Sequence, residues 1–523
     1  MASSVVPPGF VMPETGALFE APPRRGGRTT RRGVGALGED WIVLANGEKA
    51  PRAPGRPASG CLPSRWPRWG ARGHLHLTPE PGLTSTVRRV LAILPYVPFP
   101  SDTGGTLRTL ELVRALASRF SIDVLALHRP GNDAAGFTRW LGELGVPASR
   151  LHLVDMPRIA PEETLSSARA LLRGTPLTYI RYTRQRLQEA FRRVLSERGA
   201  FDIIHFDHLH MAQLLPLARE LNPSAHLVID EHNVESQLLA RMAPLSAPPL
   251  RPFLRWQFRR VERLERECVS QADSVLACSE VDAEQLRALG AKQVHVVPNG
   301  VKLPDFVPQE QAGNDLVFVG SMDWWPNEDA VLRLAREVWP LVSSELAPGR
   351  LMVVGRNPSA SVRALESEND RLMVTGAVPS VAPHLARALA TAIPLRAGSG
   401  TRLKVLEAAA AGVPVVATRL AVEGLPVVEG QNVLLAESPQ EFAAALKRLR
   451  NDPDLCRKLA QNARRMAESF AWEGIGAGLG DLYLNASVKG GGGKKPSGTD
   501  TVAVAVDAGG PLKGIGSLSS GPG

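Results

Sequence analysis

Residues 396–407 read Arg-Ala-Gly-Ser-Gly-Thr-Arg-Leu-Lys-Val-Leu-Glu, the most informative stretch of this 523-residue chain. It follows an apolar run, Ala392–Leu395, typical of a buried strand, and leads into a predicted helix over Leu403–Ala411. Glycines at such a junction let the backbone wrap around an oxyanion, and the N–H groups at a helix start favour negative charge. The pattern predicts a strand–loop–helix unit that binds phosphate.

The side chains of this stretch suit a diphosphate joined to a sugar. Arg402 and Lys404 contribute two cations, which match the charge of a diphosphate. Glu407 lies further along the helix, where its carboxylate can accept two hydrogen bonds from a vicinal diol. We predict that the phosphate is held by the loop residues Gly398, Ser399, Gly400 and Thr401. The alternative is a helix N-terminus with ordinary surface charges.

Short apolar runs alternate with helical patterns on both sides of this stretch. Helical spacing is clearest at Leu107–Arg119, Glu441–Leu449 and Leu455–Phe470. Strands that are apolar throughout and alternate with helices indicate parallel sheets covered on both faces. About 400 residues exceed one doubly wound domain, so we predict an α/β fold of two Rossmann-like, doubly wound parallel-sheet domains facing a cleft. The predicted strands are Arg89–Leu94, Ile122–Leu127, Leu151–Val154, Ile203–Phe206, Leu227–Ile229, Ser274–Cys278, Val294–Val297, Leu316–Val319, Leu351–Val354, Met373–Thr375, Ala392–Leu395 and Val413–Ala417.

The predicted domain boundary follows the turn Pro298-Asn299-Gly300, after which a polar stretch begins. The N-terminal domain then covers residues 87–300 and the C-terminal domain residues 301–470. Residues 1–86 contain 12 Pro and 13 Gly, a composition that predicts a disordered extension. Residues 487–523 are predicted to be a low-complexity tail. One hypothesis is that Val87 is the true initiator, read from a GTG codon; native peptides from residues 1–86 would refute it.

Charge and cysteine usage narrow the class of protein. The two flanks, residues 1–86 and 486–523, hold seven of the nine net positive charges, so the basic balance is better explained by solvated tails than by nucleic-acid binding. The four cysteines form no CxxC pair and no zinc spacing. Neither a secretory leader nor an 18-residue apolar span is visible. We expect a cytoplasmic protein.

Other polar residues follow predicted strands. The loop after the first strand contains Gly104 and Gly105 before a helix, which suits close approach to an anion, although a plain tight turn fits equally well. His208 and His232 follow two further strands, where a histidine can donate to a sugar hydroxyl. His208 and His210 would share one face of a strand, but His205 differs from them in parity and the three residues match no known metal-ligand spacing, so we predict no metal site.

Two aromatic features allow two interpretations each. Trp324 and Trp325 either stack on a sugar or base, or pack in the core near a strand end. The amphipathic, arginine-rich stretch from Arg251 to Arg266 either touches an anionic membrane surface or covers its own domain.

The loops that follow the predicted strands, taken in their order along the chain, resemble those of the family 4 (group 1) glycosyltransferases of GT-B fold. The resemblance covers about residues 88–485. The resemblance rests on residues 104–108, 230–235, 297–301, 319–322 and 398–418. The sugar transferases of bacterial exopolysaccharide clusters look like a close subgroup. The resemblance implies metal-independent, retaining transfer from a nucleotide-diphosphate sugar, which is a substrate and not a cofactor. It also implies a glycan or lipid-linked acceptor, peripheral contact with the inner membrane face, and a segment, residues 471–486, that crosses back to the N-terminal domain.

The family roles carry over to individual positions. Glu407 matches the second glutamate of the family's E-x7-E motif, which holds the donor ribose. His232 matches a histidine that contacts the donor sugar, and Gly104 and Gly105 match the glycine loop near the diphosphate. We therefore expect His232, Arg402 and Lys404 to act in catalysis, with the glycines and Glu407 binding the donor.

The chain departs from the family at three positions. Ser399 stands where the first glutamate of E-x7-E belongs, Ser321 replaces an arginine, and Asn327 lies near a missing lysine. One hypothesis is that Arg402 and Lys404 supply the missing cations. The same departures leave two other interpretations open: an inactive scaffold that binds nucleotide sugars, and a sugar-nucleotide epimerase of GT-B fold. No predicted strand is followed by a GxGxxG loop with an acid further on, which argues against a dehydrogenase.

Overall fold

The computed structural model describes residues 41–43, 49–51, 87–99, 101, 103–156, 172, 174–183, 185–303 and 313–486. Strands β1 (Trp41–Val43) and β2 (Lys49–Pro51) pair antiparallel within a separate compact unit, Phe19–Thr86. Apart from these strands, the predicted extension (1–86) and tail (487–523) lie outside the described residues.

The N-terminal sheet has seven strands, all parallel, in the order β5-β4-β3-β6-β7-β8-β9. Its inner strands are almost wholly buried, as expected for a sheet covered by helices on both faces. The strands are β3 (Arg89–Leu94), β4 (Ser121–His128), β5 (Leu151–Asp155), β6 (Ile203–Asp207), β7 (His226–Glu231), β8 (Ser274–Ala277) and β9 (Val294–Val296).

The C-terminal sheet has six parallel strands in the order β12-β11-β10-β13-β14-β15. The prediction of two parallel, doubly wound α/β domains is confirmed. The strands are β10 (Asp315–Val319), β11 (Leu351–Val354), β12 (Leu372–Gly376), β13 (Ala388–Ile393), β14 (Val415–Ala417) and β15 (Leu434–Leu435).

Helices cover both faces of each sheet. Among the residues described, every helix is too short or too polar to cross a lipid bilayer. The α-helices are α1 (Gly104–Ala117), α2 (Ala134–Glu143), α3 (Gln185–Arg198), α4 (His208–Ala212), α5 (Leu215–Leu221), α6 (Glu235–Met242), α7 (Arg251–Gln271), α8 (Glu280–Ala288), α9 (Trp325–Arg333), α10 (Ala360–Glu368), α11 (Ala382–Leu385), α12 (Leu403–Ala410), α13 (Pro439–Asn451), α14 (Pro453–Glu468) and α15 (Trp472–Asn485).

Strand order determines where a ligand can bind. In the N-terminal sheet the order reverses between β3 and β6, and in the C-terminal sheet between β10 and β13. Open parallel sheets bind ligands beyond the carboxyl ends of the strands at such reversals. Helices α1 and α12 follow β3 and β13, so their N-termini lie at these two points.

Local residue chemistry explains where the elements differ from the predicted bounds. Strand β13 ends at Ile393 instead of Leu395, because Pro394 has no N–H to continue the ladder. Helix α1 begins at Gly104, three residues before the predicted Leu107, because the Thr103 side chain caps it. The two-residue strand β15 was not predicted.

The last helix, α15, packs against the N-terminal domain although it follows the C-terminal one in sequence. Trp472, Leu479 and Tyr483 join the apolar core beneath α1, and the Tyr483 hydroxyl lies 2.7 Å from Nδ1 of His205 on β6. The chain therefore returns to its first domain over residues 471–486.

Candidate active site between the two sheets

A cavity of about 520 Å³ lies where the carboxyl ends of the two sheets face each other. Both domains line it, so it forms only when they are together. From the N-terminal domain it is lined by residues including Tyr96, Gly104, Gly105, Tyr182, His208, His232, Asn233 and Glu235. From the C-terminal domain it is lined by residues including Gly320, Ser321, Trp324, Asn327, Arg356, Ser399, Thr401, Arg402, Lys404 and Glu407.

The N-termini of α1 and α12 meet at this cavity. A Cβ atom added to Gly104 would lie 2.9 Å from Cδ1 of Leu403, the first residue of α12. A Cβ on Gly105 would lie 3.2 Å from the Tyr96 hydroxyl and 3.7 Å from Nδ1 of His232. The two glycines thus allow the positive ends of two helix dipoles to converge on one space.

The Gly398–Thr401 loop is docked onto the N-terminal domain. The Val234 N–H donates to Oγ of Ser399 at 2.9 Å, and Oγ1 of Thr401 donates to the Cys278 carbonyl at 2.8 Å. Gly400 has φ of +72°, and a Cβ there would lie 2.5 Å from the carbonyl oxygen of His232. Only glycine fits this left-handed, crowded position, so the loop geometry depends on it.

Lys404 brings a partly buried ammonium group to the cavity. Its Nζ donates to Oδ1 of Asn327 and lies 4.2 Å from the centroid of the Phe318 ring. Burial lowers the pKa of Lys404 to about 7, although the Glu407 carboxylate acts in the opposite direction. An anionic ligand would restore the charged form. Lys404 therefore places its cation beside Asn327, which stands near the position of the missing family lysine.

Arg402 is more deeply buried, with 4% of its surface exposed. Its guanidinium packs against Gly398, and its three nitrogens make no hydrogen bond to any described residue. Burial lowers the pKa of Arg402 to about 10, against the attraction of Glu423 and Asp282. The side chain thus lies under the glycine loop, and its contact with a donor stays a prediction.

Glu407 lines the cavity one turn beyond Lys404 on the same face of α12. Its carboxylate makes no hydrogen bond within the described part of the chain. Burial raises the pKa of this carboxyl group, and the Lys404 ammonium partly offsets that effect. Its acceptor oxygens are available to ligand hydroxyl groups.

His232 is held by two carboxylates at the end of β7. Its Nε2 lies 2.7 Å from Oδ1 of Asp207 and 3.1 Å from Oδ2 of Asp230. Burial alone would lower the pKa of His232, but the two carboxylates raise it to about 9. Behind it, Arg108 pairs with Asp230 at 2.6 Å, with both side chains fully buried. The imidazolium is therefore charged at neutral pH, and its Nδ1 points towards Gly105.

His208 stacks on His232, with ring centroids 3.5 Å apart. It has φ of +65°, a left-handed conformation that is uncommon outside glycine and often marks functional sites. Burial lowers the pKa of His208, and the charge on His232 lowers it further. The neutral His208 ring therefore lies against the charged His232 ring at the cavity wall. Side-chain alternation along the predicted strand did not reveal this contact.

Two groups of side chains have potential metal-ligand atoms within 4.8 Å of one another: Asp207, His208 and His232, and His205, Asp207 and Asp230. Several of these atoms already have partners, since His232 bridges the carboxylates of Asp207 and Asp230 and His205 contacts a tyrosine. The adjacent Arg108 guanidinium also repels a cation. These contacts account for the clustering without a metal ion.

The sequence analysis missed two charged residues of the cavity. Arg356 follows β11, and its Nε donates to Oγ of Ser321 at 3.0 Å, so a guanidinium lies beside the residue that replaces the family arginine. Glu235 begins α6. The strand-end rule that singled out other loops would have found Arg356, because it follows a predicted strand.

Both tryptophans pack against an apolar cluster, and their stacking on a sugar or base stays a prediction. Trp324 lines the cavity, and Trp324 and Trp325 pack on an apolar cluster of Leu238 and Met242 from α6 with Ala397 from the C-terminal domain. Arg241 on α6 also pairs with Glu423 at 2.7 Å across the domains. These contacts hold the two halves of the site together.

Two protein-family profiles match the chain. The family described as "Glycosyl transferase 4-like domain" matches residues 103–300, and "Glycosyl transferases group 1" matches residues 313–452. Together the matched segments cover the C-terminal sheet, the N-terminal sheet apart from β3, and most of the residues that line the cavity.

Individual proteins are similar over the same region. A D-inositol 3-phosphate glycosyltransferase of Actinosynnema mirum is 31% identical over 309 residues, covering 53% of this chain and 70% of the relative. One of Acidothermus cellulolyticus is 28% identical, covering 80% of this chain and 96% of the relative.

Solved structures share the fold. A sucrose-phosphate synthase from Thermosynechococcus elongatus aligns with a TM-score of 0.58 at 20% identity, covering 76% of this chain and 98% of its own. The Anabaena protein HepE, solved in complex with UDP-glucose, aligns with a TM-score of 0.54 at 16% identity, covering 76% of this chain and 100% of its own. With its two family matches and its paired parallel sheets, this chain belongs to the group 1, family 4-like glycosyltransferases and is a glycosyltransferase of GT-B fold.

Proposed function

We propose that this glycosyltransferase moves a sugar from a nucleoside-diphosphate sugar to a glycan or lipid-linked acceptor, with retention of configuration and without a metal ion. The pathway we propose is the assembly of an exopolysaccharide or another cell-envelope polysaccharide. The observation that carries the proposal is the convergence of two helix N-termini, those of α1 and α12, with the Lys404 ammonium at one cavity.

This arrangement suits a diphosphate for electrostatic reasons. Each helix start contributes about half a positive charge, and Lys404 contributes up to one more. A Mg²⁺ ion would otherwise supply such charge to a leaving diphosphate. The fixed charges therefore support a metal-independent reaction. The structural neighbour HepE, solved with UDP-glucose, supports a nucleotide sugar as donor.

The residues have distinct proposed roles. Glu407 accepts hydrogen bonds from the ribose hydroxyls, while Gly104, Gly105 and the Gly398–Thr401 backbone surround the diphosphate. Lys404 contacts the phosphates directly. Arg402, buried under the loop, adds positive potential. His232 contacts the donor sugar from the N-terminal domain as a charged hydrogen-bond donor.

In the proposed reaction the bond between the anomeric carbon and the diphosphate oxygen breaks first. Negative charge then develops on the leaving diphosphate, where Lys404, Arg402 and the helix N-termini stabilise it. The acceptor hydroxyl bonds to the same face of the anomeric carbon, and its proton passes to a departing phosphate oxygen. Configuration is retained, and the products are a glycoside and a nucleoside diphosphate.

Helix α7 offers a surface for a membrane-associated acceptor. Its buried side chains, including Leu254 and Val261, pack on the N-terminal domain, while Trp256 is 41% exposed with Arg260 stacked at 3.8 Å. Several other arginines of α7 are exposed. An exposed tryptophan among arginines suits peripheral contact with anionic lipid, and we propose this contact for the inner membrane face. Sedimentation with phosphatidylglycerol vesicles, but not with phosphatidylcholine vesicles, is the expected result.

Donor turnover tests the proposed function. The enzyme is incubated with UDP-glucose, GDP-mannose and other nucleotide sugars, with or without lipid-linked glycans or inositol 3-phosphate as acceptors. Acceptor-dependent release of nucleoside diphosphate in EDTA is expected, with an anomeric configuration in the product that matches the donor. Binding without turnover across all donors would contradict the proposal, and so would an inverted product.

A further inference from the structure

Two carboxylates line the cavity among the residues that the structure describes: Glu407 on α12 and Glu235 at the first position of α6. The reaction as described uses Glu407 and leaves Glu235 without a role. Glu235 makes no ion pair within the described ranges; burial raises the pKa of its carboxyl group to about 7, and the charge on His232 and the Asn233 side chain partly offset that effect. Keeping a partly buried carboxylate without an ion-pair partner costs free energy unless a ligand supplies hydrogen bonds.

The backbone around Glu235 is firmly held. Its own N–H donates to Oε1 of Glu265 at 2.8 Å, and the preceding N–H, that of Val234, donates to Oγ of Ser399. The Asn233 amide nitrogen, in the orientation that satisfies its partners, donates to the Ser399 carbonyl at 2.8 Å. The carboxylate is thus presented to the cavity from a rigid base, directly beside the loop of Ser399.

The charge distribution of the cavity limits what Glu235 can contact. Lys404 and the two helix starts make one region positive, which is where a diphosphate belongs. A second anion placed against the diphosphate would repel it. The carboxylate of Glu235 therefore suits the uncharged, hydroxyl-bearing part of the ligand, because each hydroxyl group can donate a hydrogen bond to it.

We propose that Glu235 accepts hydrogen bonds from hydroxyl groups of the donor sugar and thereby helps to determine which sugar the enzyme uses. Ser399, in the neighbouring loop, cannot offer a carboxylate, and its hydroxyl oxygen already accepts the Val234 N–H. This inference rests on the proposed function, because it requires a nucleoside-diphosphate sugar in the cavity.

Calorimetry with two pairs of probes tests the inference: UDP against UDP-glucose, and GDP against GDP-mannose. Glu235→Gln keeps the shape of the side chain and removes its charge, and Glu235→Asp keeps the charge with a shorter reach. Glu407→Gln is the contrasting variant, since a ribose contact affects both members of a pair. The inert control is Glu280→Gln, because Glu280 is an exposed residue at the start of α8 that pairs with Arg287.

Glu235→Gln is expected to bind the sugar nucleotide about 10-fold or more weakly and the free diphosphate within twofold of wild type. The sugar-nucleotide affinity of Glu235→Asp should lie between those of wild type and Glu235→Gln. Glu407→Gln should weaken the binding of both probes of a pair. Unchanged sugar-nucleotide binding in Glu235→Gln overturns the inference and leaves the proposed function standing. Equal weakening of both probes also overturns it, because it shows a structural role. Wild-type protein that binds none of the four probes refutes the proposed function itself.

Discussion

We predict that Lys404 makes donor binding depend on pH within the physiological range. Its pKa in the unliganded protein is about 7, lowered by burial, so about half of the molecules carry the charge at pH 7 and about a tenth at pH 8. A bound diphosphate favours the ammonium form. Donor binding above pH 7 must therefore take up a proton, and the affinity should fall about tenfold per pH unit.

UDP-glucose is the appropriate probe, because both of its phosphates are esterified and neither titrates near pH 7. We expect its affinity to be greatest below pH 7 and to decline between about pH 7 and 8.5, below the pKa of His232 at about 9. Calorimetry in two buffers of different ionisation enthalpy measures the proton uptake directly.

Substitutions at position 404 separate the charge from other effects. Lys404→Ala should weaken UDP-glucose binding about 10- to 100-fold, the range for losing a hydrogen bond to a charged group. Lys404→Arg should flatten the pH profile, since a guanidinium stays charged throughout this range. The control is Lys447→Ala, which removes a half-exposed lysine paired with Glu345. A pH-independent wild-type affinity, or undiminished binding by Lys404→Ala, would refute the reasoning.

Two further predictions concern the N-terminal wall of the cavity. His232→Ala should lower kcat about 100-fold or more by removing a charged donor at the sugar, as measured by the initial rate of nucleoside diphosphate release; a loss below fivefold would exclude that role. Arg108→Ala should lower the free energy of unfolding by about 3–5 kcal/mol, because it leaves Asp230 buried without its partner. Urea denaturation measures this, with Arg114→Ala, which removes a partly exposed pair with Glu111, expected to cost less than about 1 kcal/mol.

Much of the fold was predictable because burial leaves a clear pattern in sequence. Strands such as β3 and β10 are apolar after their first residue, and the helices between them carry apolar faces at helical spacing. The element ends were less predictable, since they depend on single residues. Pro394 ended β13 early, and Thr103 started α1 early by capping it.

The site was predictable where its residues follow strands. Gly105, His232 and Lys404 were all found in this way, and the structure brings them to one cavity. What the sequence could not reveal is the contact between distant segments, such as the stacking of His208 on His232 or the approach of Arg356 to Ser321. These contacts depend on three-dimensional packing that leaves no periodic signal.

The spacing of Lys404 and Glu407 on α12 has a consequence for selectivity. Three residues of α-helix rise about 4.5 Å, so the spacing of the Lys404 and Glu407 backbone positions follows from helix geometry and not from loop conformation. In the proposed binding mode, the helix therefore fixes the spacing between the residue that contacts the diphosphate and the residue that contacts the ribose diol. The surrounding loops can differ so as to accommodate other bases or sugars without changing the spacing of Lys404 and Glu407.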